Sequence, residues 1–234
     1  MDPIKIKAVQ FPKRKLTQGD IILIIANLVP IYGVWFLNWS AVEAFIVYAL
    51  ETLMIGVLTV LKMLVVTAFR KKDTWHNQGS SKEVSGLFFI LFFIVHFGIF
   101  ALVQTTIFSQ SAGIIPPGKG MMHFFFHWYE YINKDVGIML MSLGVGHLAK
   151  NFVPFIATGE YKTISMMNLM FQPYGRIFIQ QFTVILGSMF LSFGLGKAFI
   201  LIFVVAKIFF DVFVNFEDAI NKSITKMERE SGKQ

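Results

Sequence analysis

The apolar stretch at residues 41–69, AVEAFIVYALETLMIGVLTVLKMLVVTAF, decides the fold class of the chain. A helix of about 20 predominantly apolar residues is long enough to span the hydrocarbon core of a bilayer. This stretch is longer than that, and its charged side chains are Glu43, Glu51 and Lys62. It therefore predicts a transmembrane helix that tilts or projects beyond the bilayer.

Further apolar runs predict more transmembrane helices along the rest of the chain. They cover residues 21–37, 86–108, 136–157 and 175–193, and a last run follows the turn at 194–196 and ends near residue 216. Charged residues make up 15% of the 234 residues, against about 25% in ordinary soluble domains. We expect an all-α membrane bundle of six transmembrane helices at residues 21–216, with a basic tail at 1–20 and a charged tail at 217–234.

The distribution of Lys and Arg predicts the orientation in the membrane. Basic residues cluster within residues 5–15, 70–82, 150–176 and 222–233, whereas Lys119, Lys134 and Lys197 fall on the opposite side of the predicted spans. Because positive charge concentrates in cytoplasmic loops, both termini should be cytoplasmic. The net charge of +7 then reflects membrane topology, and no nucleic-acid partner is expected.

Three residues are predicted at the membrane interface. The segment MMHFFFHWYEYI at 121–132 is rich in aromatic residues, which predicts an amphipathic helix lying in the outer interface. His123 and His127 have the i,i+4 spacing of a zinc-binding pair, but an interfacial helix with two polar positions is the favoured interpretation. Arg176 opens the fifth run, where it either holds a phospholipid headgroup or loop carboxylate or simply sets the topology.

Cysteine chemistry and several common enzyme motifs are excluded by the sequence. The chain contains no Cys, so disulfides, thiolate metal sites and cysteine nucleophiles are ruled out. Serine hydrolase elements, a phosphate-binding glycine loop and a dinucleotide fingerprint are also missing from the sequence. Any specific chemistry must therefore come from other ionisable side chains, such as carboxylates and imidazoles.

A few ionisable side chains inside the predicted spans share a similar depth. Counting about 1.5 Å per residue places Glu51, His96, His147 and Lys207 near the midplane, with Asp211 one turn nearer the cytoplasm. Charged groups at this depth cost roughly 2.5–3.5 kcal/mol on insertion scales, so they should face protein or a water-filled cavity.

Two interpretations of these groups stay open. Glu51, His96, His147 and Asp211 could build a metal site or a proton-handling cavity, because imidazole and carboxylate ligands suit zinc, iron and manganese. Alternatively, the groups pair with one another and hold helices together, with Lys207 and Asp211 neutralising each other at i,i+4. The rotation of each helix about its axis decides between these two interpretations, and the sequence does not fix it.

Short motifs recur in a defined order from about residue 28 to residue 219. They are Pro30-Ile31-Tyr32-Gly33-Val34, Tyr48 with Glu51 and Gly56, His96-Phe97-Gly98-Ile99-Phe100, His147 with Phe152, Gly159-Glu160-Tyr161, Pro173-Tyr174-Gly175-Arg176, Gly187, and Lys207 with Asp211. In this order they resemble an uncharacterised prokaryotic family of polytopic membrane proteins, classed as a domain of unknown function. The resemblance implies the cytoplasmic (inner) membrane of a prokaryote and implies no activity.

The chain departs from the family pattern at three polar positions. The resemblance implies further histidines where this chain has Gln104, Gln181 and Asn215. Gln and Asn keep hydrogen bonding but are poor ligands for first-row transition metals. These residues are therefore expected to belong to a polar core or relay with Lys207.

The expected function is that of a non-catalytic membrane subunit or scaffold with a polar intramembrane cluster. One alternative is a membrane-embedded metal-dependent enzyme acting on a hydrophobic substrate, with zinc, iron or manganese as cofactor. Another is a proton-coupled transporter. The expected partners are the lipid bilayer and either a second copy of the chain or other membrane subunits.

Overall fold

The computed structural model describes residues 15–77 and 80–213. Helices dominate this part of the chain, and one β-hairpin interrupts them. The elements in chain order are α1 (Gln18–Phe36), α2 (Ala41–Arg70), β1 (Lys72–Asn77), β2 (Ser80–Ser85), α3 (Gly86–Ser111), α4 (His123–Phe126), α5 (Lys134–His147), α6 (Val153–Ala157), α7 (Met166–Ser192) and α8 (Gly196–Phe213). A π-helical turn (Leu148–Phe152) joins α5 to α6.

Within the described residues, four helices are long and apolar enough to cross a membrane: α1, α2, α3 and the continuous segment Lys134–Ala157. A membrane protein is therefore supported, whereas the predicted number of six spans is not confirmed. Helices α7 and α8 occupy the positions of the fifth and sixth predicted spans but are not among the four. Helix α8 has only 18 residues, and Lys197, Lys207 and Asp211 lower its apolar character.

Helix α2 lies at the centre of the bundle and contributes to two apolar clusters. Its first half, with Phe45 and Tyr48, packs against α5 and α8; Tyr48 meets the ring of Phe203 edge to face at a centroid distance of 4.5 Å. Its second half, with Met63, packs with α3 and α7, where Phe93 and other apolar side chains are buried. Glu51, which lies between these two halves, is thus surrounded by neighbouring helices.

Local signals define where α1 and α2 begin. Thr17 and Asp20 form a reciprocal capping box at the start of α1, and Ser40 and Glu43 form the same arrangement at the start of α2. Each box satisfies backbone N–H groups that have no partner within the helix. Helix α1 therefore begins three residues earlier than the predicted span.

The connection after α2 forms a β-hairpin that the all-α prediction did not include, although the described part of the chain is mostly helical. Strands β1 and β2 pair antiparallel, with Lys72 opposite Ser85. The hairpin is anchored by Trp75, whose ring contacts Phe88 and Phe89 of α3 at centroid distances of 5.4 and 5.5 Å. The sequence predicted only a basic cytoplasmic connection at residues 70–82, because an apolar pattern carries no information on strand pairing.

The predicted interfacial helix at 121–132 is shorter than expected. Only His123–Phe126 is α-helical, and after His127 a 3₁₀ turn covers Trp128–Tyr131. Phe124 is buried against Phe108, with ring centroids 6.0 Å apart, whereas Phe126 is exposed. The segment packs on the end of the bundle, so tertiary contacts replace the regular amphipathic helix that composition favoured.

Candidate functional site

The predicted midplane layer contains a buried acid–imidazole pair. The Oε1 atom of Glu51 on α2 lies 2.6 Å from Nε2 of His147 at the end of α5, and both side chains are almost fully inaccessible to solvent. Helix α5 approaches α1 closely here, because Gly146 packs against Leu23 and Ala26 of α1 and leaves no room for a Cβ atom. The pair therefore sits where α1, α2 and α5 meet.

Lys207 of α8 joins this pair to two further acceptors. Its Nζ donates to Oε1 of Glu51 at 2.9 Å, Oδ2 of Asp211 at 2.7 Å and Oδ1 of Asn27 at 2.7 Å. An ammonium group has three N–H donors, and here each has an acceptor. The contacts connect α8 with α1 and α2 through one side chain.

The π-helical turn after His147 extends the network. Asn151, within this turn, places Nδ2 3.2 Å from Nδ1 of His147. In the same turn, Lys150 forms an ion pair with the buried carboxylate of Asp20 at 2.9 Å and donates to the backbone carbonyl of Asp211. Single π-helical turns inside α-helices are often found at functional sites, because they change which side chains face inward.

A cavity of about 640 Å³ adjoins this network at the end of the bundle where α1 begins and α8 ends. Its wall includes polar side chains on α2, the π-helical turn, α7 and α8, which are Thr59, Lys62, Asn151, Gln172 and Asp211. His147 also lines the cavity. The imidazole thus lies between the cavity on one side and Glu51 on the other.

The structure brings together four of the residues singled out in the sequence: Glu51, His147, Lys207 and Asp211. His96 lies elsewhere, with Nδ1 2.6 Å from the hydroxyl of Tyr174 and its ring stacked on Phe92. Among the described residues, three imidazole or carboxylate ligands come within 4.8 Å of one another at His123, His127 and Glu130, and not around Glu51. Metal binding by Glu51, His96, His147 and Asp211 remains a prediction.

The other predicted polar positions are only partly described. Gln104 is buried on α3, and within the described part of the chain neither of its amide atoms has a hydrogen-bond partner. The side chains of Arg176 and Gln181 lie outside those the structure describes, as does Asn215. His123 and His127 lie on and just after α4, at the end of the bundle opposite the cavity.

Sequence reasoning missed several members of the network. Asn27 was not among the predicted polar positions, yet its side chain donates to the backbone carbonyl of Leu23 and accepts from Lys207. Asp20 had been assigned to the basic tail, although it is fully buried. A polar side chain on a helix that is otherwise almost wholly apolar was the available signal for both.

Comparison with known protein families gives a match that covers most of the chain. The model of a family of unknown function, DUF6498, matches residues 10–231, which is most of the chain. No curated protein and no solved structure matches the chain.

Proposed function

Since the chain belongs to DUF6498, a family of unknown function, we propose its role from its own geometry: a non-catalytic integral membrane subunit or scaffold. We place it in the cytoplasmic membrane of a prokaryote, with six transmembrane helices and both termini in the cytoplasm. In this proposal the network around Lys207 fixes how the helices pack. Its partners are the lipid bilayer and either a second copy of the chain or other membrane subunits.

The single observation that supports this role is the saturation of Lys207. Its three donors are used by acceptors on three helices, and one of these acceptors, Oε1 of Glu51, also receives His147. A cation therefore already stands beside Glu51 and Asp211, where a metal ion would need to bind. Such a network stabilises helix packing, and its ammonium group takes the place that a metal ion would need.

The same network supports a spanning position for α8. Lys207 reaches Asn27 of α1 and Glu51 of α2, both within candidate spans. A helix that makes buried contacts with both runs beside them at the same depth. Helix α7, of 27 residues, then connects the cytoplasmic end of α6 with the start of α8.

We test the scaffold role by replacing Lys207 with Met. Removing one partner of a buried ion pair leaves the others uncompensated and destabilises by about 3–5 kcal/mol. In detergent, Lys207→Met should therefore lower the apparent Tm by several degrees in a fluorescence size-exclusion assay. Lys197→Met is the matched control, because Lys197 lies on the same helix and is exposed.

A double variant extends this test, and its result either supports the scaffold role or removes its basis. If Glu51→Gln combined with Lys207→Met loses less stability than the sum of the single variants, the two residues act as one unit. Equal Tm values for Lys207→Met, Lys197→Met and the unchanged protein would remove the basis of the scaffold role.

A proton-coupled transporter is the second candidate, favoured by the cavity that reaches His147. Protons could pass from this cavity through the imidazole to Glu51, which is the type of relay that intramembrane acid–imidazole pairs serve. Proteoliposomes carrying a pH-sensitive dye should then show proton flux that Glu51→Gln abolishes and Lys197→Met preserves. Flux no greater than in protein-free liposomes would exclude this candidate.

A metal-dependent membrane enzyme has less support. Lys207 competes with a metal ion for Glu51 and Asp211, and His96 is bonded to Tyr174. Stoichiometric zinc, iron or manganese that is lost in both His96→Gln and His147→Ala would instead favour the metal-dependent enzyme over the other two roles.

A further inference from the structure

A second cluster of imidazole and carboxylate groups lies at the opposite end of the bundle from the cavity. The cluster lies within residues 121–132. Asn133, which follows this segment, donates from Nδ2 to Oε1 of Glu43 in the first turn of α2 at 2.6 Å, so the segment lies beside the start of α2. His123 is 92% inaccessible to solvent, since its exposed fraction is 8%. The Lys207 network does not include any of these residues.

Three potential metal ligands converge in this cluster. One ligand atom each from His123, His127 and Glu130 lies within 4.8 Å of the others. Nε2 of His123 and Oε2 of Glu130 are 3.6 Å apart. The two imidazole rings are nearly parallel, with centroids 4.4 Å apart and an interplanar angle of 9°. The spacing i, i+4, i+7 brings all three to one side of the short helix and its 3₁₀ extension.

Two of the imidazole nitrogens lack the hydrogen bonds that burial requires. Nε2 of His123 and Nδ1 of His127 are buried, and neither has a hydrogen-bond partner within the described residues. Buried polar atoms in folded proteins are nearly always satisfied, so each exception calls for a missing partner such as an ion. The side chains are thus aimed at a position that a cation would fill.

The contact of His123 with Tyr131 is compatible with a tautomer in which Nε2 is free to bind a metal ion. Nδ1 of His123 lies 3.1 Å from the hydroxyl oxygen of Tyr131, and an Nδ1–H that donates to this oxygen leaves a lone pair on Nε2. That lone pair then faces the carboxylate of Glu130 with no proton between them. Zinc-binding histidines commonly have such a partner on the second nitrogen, which fixes the ring and its tautomer.

We propose that His123, His127 and Glu130 bind one divalent transition-metal ion, with zinc the best match to the ligand set. Two imidazoles and one carboxylate form a known three-ligand zinc set, which leaves a fourth position for water or a group from a partner. Zinc–ligand bonds of about 2.0–2.2 Å require tetrahedral ligand atoms to lie about 3.4 Å apart. The 3.6 Å separation of His123 and Glu130 is already close to this value.

The bound ion would join α4 to the 3₁₀ turn across the break at His127. It would also make the outer end of the bundle a site for a ligand with a free carboxylate or imidazole, since Glu130 is half-exposed. The alternative arrangement is an ion pair between a protonated His123 and Glu130. That pair would bind no metal and would leave Nδ1 of His127 without a partner.

Cobalt(II) titration of the full chain tests the site. The protein is purified in detergent through a tag without histidines, treated with chelator and titrated with cobalt(II), whose absorption reports tetrahedral coordination. We expect one cobalt(II) per chain, displaced by zinc(II). Glu130→Gln and His127→Asn should each weaken binding by at least about tenfold, and Tyr131→Phe should weaken it less. His96→Gln, which alters a histidine elsewhere in the bundle, should leave binding unchanged.

Size-exclusion profiles separate loss of the site from loss of the fold. His127→Asn and Glu130→Gln change partly exposed side chains, so both variants should elute like the unchanged protein. Failure to bind cobalt(II) or zinc(II) at tens of micromolar would overturn the site, as would binding that survives both substitutions. Binding lost in His147→Ala but kept in His127→Asn would overturn it in favour of the Lys207 network.

Discussion

At the scale of single residues, the charge on Lys207 explains why other charged groups are tolerated inside the bundle. Glu51 and Asp211 are both buried, and each lies within 3 Å of the same ammonium group. A lone carboxylate at this depth would be costly, whereas one that shares a cation and further hydrogen bonds is compensated. His147 supplies such a hydrogen bond to Glu51, and Asn27 accepts one from the ammonium group of Lys207. The network is therefore stable only as a unit, and each member depends on the others.

Gly33 is a second residue whose identity the structure requires. A Cβ atom at this position would lie 1.8 Å from Cε3 of Trp39, because the turn between α1 and α2 folds the indole back onto the helix. Overpacking of this kind costs about 1–3 kcal/mol, so Gly33→Ala should lower the apparent Tm in detergent. Gly98→Ala is the control, because a Cβ at Gly98 of α3 meets nothing within 4 Å. An unchanged Tm in Gly33→Ala would show that Trp39 moves aside freely.

At the scale of elements, the long helices could be predicted because lipid imposes one simple requirement. Every backbone polar group must be satisfied within the segment, so an apolar run such as 41–69 has few alternatives to a helix. The β-hairpin could not be predicted in this way. Its strands depend on pairing between two polar stretches and on the contact of Trp75 with α3, and neither leaves an apolar signal.

Only the depth of the candidate site within the predicted spans could be predicted from the sequence. Counting residues placed Glu51, His96 and His147 in one layer, and the pairing of Glu51 with His147 agrees with that estimate. Depth does not specify the direction of a side chain, and His96 points to Tyr174 instead. The π-helical turn changes which side chains face inward compared with a regular α-helix. For this reason Lys150 and Asn151 were not expected in the network.

At the scale of the whole molecule, the position of the α7–α8 connection decides between six spans and four. If α7 and α8 both cross the bilayer, residue 197 faces the same side as residue 119. If neither crosses, residue 197 lies on the side of the β-hairpin. The two termini are on the same side in both cases, so fusions at the ends do not distinguish them.

Single-cysteine labelling resolves this, because the chain has no Cys of its own. Lys82, Lys119 and Lys197 are all exposed, and each is replaced by Cys in an otherwise unchanged chain. With six spans and cytoplasmic termini, an impermeant maleimide should label Lys119→Cys and Lys197→Cys in intact cells, and Lys82→Cys only after permeabilisation. Labelling of Lys119→Cys but not Lys197→Cys in intact cells would reduce the number of spans to four. Labelling of Lys82→Cys alone would reverse the orientation, because the basic connections would then face outward.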